Sequence, residues 1–80
     1  MTWVQLQDAL EGLRDAARAA IVPVLATMTD AGARPPSRAW WHAGGDGVTL
    51  YWGDHCSLSV DGRGRINAQH AAHPVPDLPF

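Results

Sequence analysis

The residues best suited to chemistry are Arg38, Trp40 and His42, at alternate positions of one short segment, Pro36-Ser-Arg-Ala-Trp-Trp-His42. In an extended strand alternate side chains share a face, so a guanidinium, an indole and an imidazole would border one patch. A guanidinium offers five donors in a fixed fork, which suits a phosphate or a carboxylate. Aromatic surface beside it suits a planar ring. The plainer alternative is a solvated arginine next to tryptophans that fill a core. Trp41 follows Trp40 directly and must point the other way. One indole of the pair can therefore fill an interior while the other meets a ligand or a subunit.

A second group of reactive side chains is His55, Cys56, His70 and His73. Imidazole and thiolate are good zinc ligands, and His70 and His73 at i,i+3 could meet on one helical turn. No Cys-x-x-Cys or other established ligand spacing accompanies them, so no metal site is expected. Cys56 has no partnered acid in view, which argues against a thiol nucleophile.

The elements that would position these residues can be read from periodicity. Thr2-Trp-Val-Gln5 fits a capping box. Behind it Trp3, Leu6, Leu10, Leu13 and Ala17 recur at alternating threes and fours, one apolar stripe. The pattern predicts a helix over 3–20, ended by Pro23. Val22, Val24, Leu25, Thr27 and Thr29 form a β-favouring mix that predicts a strand over about 22–29, followed by a turn at Asp30-Ala-Gly-Ala33. Two further strands are expected over about 36–42 and 48–52, separated by Gly44-Gly-Asp-Gly47. Residues 54–80 are poorly patterned. Within them Ser57–Val60 reads as a short strand or a helix approach, Asp61-Gly-Arg-Gly64 as a turn, and 66–72 as weakly helical in composition. The sum is one small α+β domain over 1–80, mainly β, with an N-terminal helix packed on an antiparallel meander.

Composition removes several function classes. The net charge is −2, and all six basic residues are arginines spread among eight acids. That is not the basic stripe of a nucleic-acid binder, and nucleic acid is not expected as a partner. No apolar run approaches the roughly 20 residues of a membrane span, and no signal peptide is legible. A single cysteine provides no disulfide framework and fits a cytoplasmic protein. A chain of 80 residues is marginal alone, so a cofactor or a second subunit, a homodimer above all, is expected to support it.

Leu25-Ala-Thr27, Asp30-Ala-Gly32, Pro35-Pro-Ser-Arg38, Asp46-Gly47, Leu50-Tyr-Trp52 and Ser57 follow one another in order, with His73-Pro-Val75 as a looser echo. This order of parts resembles the opening of the FMN-binding split barrel of the pyridoxamine 5′-phosphate oxidase-like family. The resemblance implies an incomplete split β-barrel that binds FMN at a dimer interface and acts as a flavin-dependent oxidoreductase on an unassigned small molecule. By the same resemblance Arg38 would contact the FMN phosphate or ribityl chain, and Ser57 would lie near the phosphate. Trp40 and Trp41 would line the flavin, and Tyr51 and Trp52 would approach its ring. No catalytic acid or base is implied. The departures are specific. Leu58 and Ser59 stand where a second cation is expected, His42-Ala43 stands in place of a lysine, and the chain reads as a truncated or diverged member. The competing expectation is a non-catalytic β-domain serving oligomerisation or protein interaction, with the helix stripe and Trp40/Trp41 as its interface.

Overall fold

The computed structural model of the protein describes residues 1–53 and 56–70. Among the described residues two α-helices, α1 (Trp3–Leu10) and α2 (Asp15–Asp30), precede four strands, β1 (Arg38–Trp41), β2 (Gly47–Tyr51), β3 (Cys56–Asp61) and β4 (Ile66–His70), with a 3-10 turn at Ala43–Gly45 between β1 and β2. The strands pair antiparallel in the order β1-β2-β3-β4. The architecture is α+β, with helices against one face of a sheet that, among the described residues, remains open with β1 and β4 at its edges.

The start of α1 is set as the sequence predicts. Thr2 Oγ1 accepts from Gln5 N at 3.1 Å, and Gln5 Oε1 accepts from Thr2 N at 2.9 Å, so two orphan N–H groups are satisfied reciprocally. The helix then ends eight residues on, and the predicted 3–20 helix is two helices. The break at 11–14 has a tertiary cause. Arg14 N donates to Gly45 O at 3.0 Å and Arg14 Nε to Gly44 O at 3.4 Å, tying this corner to the β1–β2 turn. Gly12, a poor helix former, lies in the break.

The predicted strand over 22–29 is also corrected: these residues belong to α2, and Pro23 lies inside it. Ala17, Ile21, Leu25 and Met28 are buried at spacings of four, four and three, so the helical period governs this segment. A proline in a helix interior costs about 3 kcal/mol. Burying Ile21, Leu25 and Met28 returns about 1.5–3 kcal/mol each, which outweighs it. The threonines that suggested a strand bond back along the helix instead. Thr27 Oγ1 donates to Pro23 O at 3.0 Å and Thr29 Oγ1 to Leu25 O at 2.8 Å. The resemblance's opening strand motif, Leu25-Ala-Thr27, is therefore helical.

Strands β1 and β2 fall within or beside the expected ranges of 36–42 and 48–52. The region expected to be poorly patterned contains two strands, and its first half fulfils the strand reading of Ser57–Val60. Ile66–His70 is a strand despite its helical composition, because the turn before it closes tightly. Asp61 Oδ1 accepts from Arg63 N and Arg65 N, both at 2.9 Å, and Asp61 N donates to Arg65 O at 3.0 Å. That turn hands β4 to β3 in register, with Val60 opposite Ile66 and Leu58 opposite Ala68. Sheet pairing overrides local propensity here.

The core lies between the helices and the inner face of the sheet. Leu6, Leu10, Leu13, Ala17, Ile21, Leu25 and Met28 meet Val48, Leu50, Trp52, Leu58 and Val60. The connection from α2 to β1 is held by indoles. Trp3 Nε1 donates to Ala33 O at 3.0 Å and Trp52 Nε1 to Arg34 O at 2.8 Å, while Arg34 Nη2 donates to Trp52 O at 3.0 Å.

Candidate functional site

Alternation along the paired strands sorts the sheet into two faces. Toward the helices point Ala39, Leu50, Leu58 and Ala68 in one row, and Trp41, Val48, Val60 and Ile66 in the next. The opposite face carries Arg38, Tyr51, Ser57 and Gln69 in one row and Trp40, Thr49, Ser59 and Asn67 in the next, and none of these is buried. Among the described residues these two outer rows hold one arginine, two aromatic rings, hydroxyls and amides, and no carboxylate.

Two contacts pre-arrange this outer face. The Arg38 guanidinium lies over the Tyr51 ring, its Cζ 4.4 Å from the ring centroid, a cation–π contact that holds the charge against the neighbouring strand. His42 meets Trp40 edge to face, with ring centroids 5.2 Å apart and planes at 72°. His42 is itself tied down by a hydrogen bond between its Nε2 and Thr49 Oγ1 at 3.0 Å. Trp40 thus has a fixed neighbour on one side and remains 63% exposed. An open depression runs from Trp40 past Thr49, Ser59 and Asn67 to Arg65.

The sequence-derived candidates divide between the two faces. Arg38, Trp40, Tyr51 and Ser57 come together on the outer face, with Arg38 opposite Tyr51 and Tyr51 opposite Ser57. Trp41 pairs with Val48 on the inner side at the β1 edge and is 36% exposed. Trp52 is buried in the core with its indole N–H committed to Arg34 O. The helix stripe offered as an interface is covered by the sheet. Of the zinc candidates, Cys56 is half-buried toward the core, while His55, His73 and the side chain of His70 lie outside the described set. Among the described residues no three His, Cys, Asp or Glu side chains cluster as metal ligands.

Sequence reading missed the contribution of β4. Asn67 and Gln69 complete the two outer rows, and the signal that could have found them is the polar alternation of Asn67 and Gln69 about Ala68.

Beyond the end of these rows the loops form a second, polar depression lined by Arg14, His42, Asp46, Asp61 and Arg63. Arg14 Nε and Asp46 Oδ1 are 3.3 Å apart in an exposed pair, an arrangement that contributes little. The backbone N–H of Arg65 holds the Asp61 carboxyl below its ordinary range; desolvation opposes it, and the N–H of Arg63 and the charges of Arg65 and Arg63 add to the lowering. Its lone pairs are engaged in building a turn.

Among the described residues no helix is long and apolar enough to cross a membrane. No protein-family model, no curated protein and no solved structure matches this chain.

Proposed function

We propose that this protein is a small, non-catalytic binding domain that recognises its partner on the outer face of the sheet. The observation that carries the reading is Trp40, a large indole 63% exposed and oriented by His42, beside an arginine laid over Tyr51. Burying a tryptophan is worth several kcal/mol when it fills a core. An exposed one contributes little to folding, and exposed aromatics and arginines are the residues enriched at recognition surfaces. The outer face is a platform whose two rows, among the described residues, hold no paired acid and base or activated nucleophile.

The test separates a binding residue from a structural one. Trp40→Ala is expected to change folding stability by no more than about 0.5 kcal/mol in urea unfolding. A loss of 2 kcal/mol or more would assign Trp40 to the core and remove the basis of this reading.

A second reading, flavin binding with an oxidoreductase role, draws support from one observation: Arg38, Trp40, Tyr51 and Ser57 share a face. It is weakened by the helical Leu25-Ala-Thr27 segment and by the burial of Trp52 in the core. Incubation with FMN, gel filtration and a visible spectrum decide it. Retained flavin at near one per chain, lost in Arg38→Ala, would favour it; folded, colourless protein would leave the binding-domain reading.

A further inference from the structure

We infer that the outer face takes a mononucleotide-sized ligand, a nucleoside 5′-monophosphate, with its base stacked on Trp40 and its phosphate on Arg38. The inference rests on the reading of that face as a binding surface and names the chemistry it would recognise.

Trp40 has one side met edge-on by His42, which is fixed by Thr49. The indole plane is therefore set before a ligand arrives, and a planar ligand ring can stack on it without first ordering it. Stacking of bases on aromatic side chains is sequence-tolerant because every base has a π-face. Across the sheet from Trp40, in the same row, stand Thr49, Ser59 and Asn67. Hydroxyls and an amide offer both donors and acceptors, which is what the polar edge of a base requires.

The charge comes next. Arg38 is two residues before Trp40 on the same strand face, about 6.6 Å along the strand. This is the step a ribose makes between a base and its 5′-phosphate. Among the described residues the ion pairs are Arg14–Asp46 and Arg18–Asp15, both away from these rows. Arg38 contacts the Tyr51 ring, and a guanidinium stacked in this way still presents N–H donors in its own plane to a phosphate. The two outer rows hold no carboxylate, and Asp61, which lines the end of the depression, has its Oδ1 engaged by the N–H groups of Arg63 and Arg65.

Size decides between ligand classes. One arginine two residues from the exposed indole on the same strand face matches one phosphate and one ring, Arg65 standing at the far end of the depression. A polynucleotide would need a track of cations, whereas this chain carries net charge −2. A neutral ring would leave the guanidinium without a counter-charge. The same ring-plus-phosphate chemistry is present in a flavin mononucleotide, and the experiment separates the two sources.

Equilibrium binding is measured by calorimetry for AMP, adenosine, FMN, riboflavin and an eight-nucleotide oligothymidylate, on the intact chain and on Trp40→Ala and Arg38→Gln. The expected result is AMP bound at least about tenfold more tightly than adenosine, the ratio falling to near one in Arg38→Gln. Trp40→Ala should weaken AMP by about tenfold or more. FMN tighter than AMP, with the same dependence on Arg38, would keep the ring-plus-phosphate site and assign it to the flavin source. Equal binding of AMP and adenosine would overturn the inference, as would an oligothymidylate bound most tightly with steep salt dependence. Binding of none of the five probes, with Trp40→Ala still folded and equally stable, would overturn the nucleotide assignment alone. An unfolded Trp40→Ala would overturn the binding-surface reading beneath it.

Discussion

Replacing Pro23 with alanine should stabilise the protein. Pro23 is the ninth residue of α2, on the solvent side of the helix. In that position proline supplies no N–H to the carbonyl one turn earlier and its ring crowds that carbonyl, at a cost of about 3 kcal/mol. The substitution removes no core packing, and the bond from Thr27 Oγ1 to the residue-23 carbonyl remains available. Against the gain stands the greater freedom of the unfolded chain once proline is gone, about 0.4–1 kcal/mol. The net is about 2 kcal/mol of added stability. For a domain of this size each kcal/mol moves Tm by roughly 4–8 °C, so Tm should rise by roughly 8–16 °C. Thermal unfolding followed by far-UV circular dichroism reads the shift, and urea unfolding at unchanged m-value checks that the denatured state is comparable. An unchanged or lowered Tm would refute the reasoning, because a proline at the entry of a strand would give no such gain.

Other substitutions probe the remaining elements. Gly47 has φ +135°, and a Cβ there would run into the Val60 carbonyl of the neighbouring strand. Gly47→Ala should therefore cost about 3 kcal/mol or more through strain and overpacking. Gly32→Ala, at φ +78° with open space around it, should cost only about 1 kcal/mol in the same unfolding assay. Trp52→Phe should lose about 1–3 kcal/mol, since Arg34 O then lacks its indole donor. Asp61 has a folded-state pKa below its unfolded one. Its stabilising contribution is thus complete above the unfolded carboxylate value and is lost as pH falls through the folded pKa. An acid titration of the wild-type protein should show that loss, and Asp61→Asn should flatten it.

How much of this was legible in the sequence depended on which force governed each segment. The capping box of α1 and the strands around Trp40 and Leu50 are local signals, a reciprocal hydrogen-bond pattern and strict alternation between glycine turns, and they survive folding. Segment 22–29 was misread because Val22, Val24, Thr27 and Thr29 favour a strand while the burial of Ile21, Leu25 and Met28 requires a helix. Residues 66–70 were misread for the converse reason, since sheet pairing behind the Asp61 turn outweighs a composition that suits a helix. At the candidate site, alternation correctly put Arg38, Trp40 and His42 on one side. It could not reveal that Arg38 would lie on Tyr51, or that β4 would add Asn67 and Gln69, because those neighbours come from pairing across strands.

The central claim is that the outer face of the sheet is open in solution, with Trp40 at its edge. The most direct test is acrylamide quenching of tryptophan emission, comparing the wild-type protein with Trp40→Phe. Trp52 is buried, Trp3 half-buried and Trp41 36% exposed against 63% for Trp40, so the most accessible emission should come from Trp40. Its removal should lower the quenchable fraction clearly, leaving the smaller part contributed by Trp41. If Trp40→Phe and wild type quench alike, another part of the protein covers that face, and the account of it as a recognition surface is wrong.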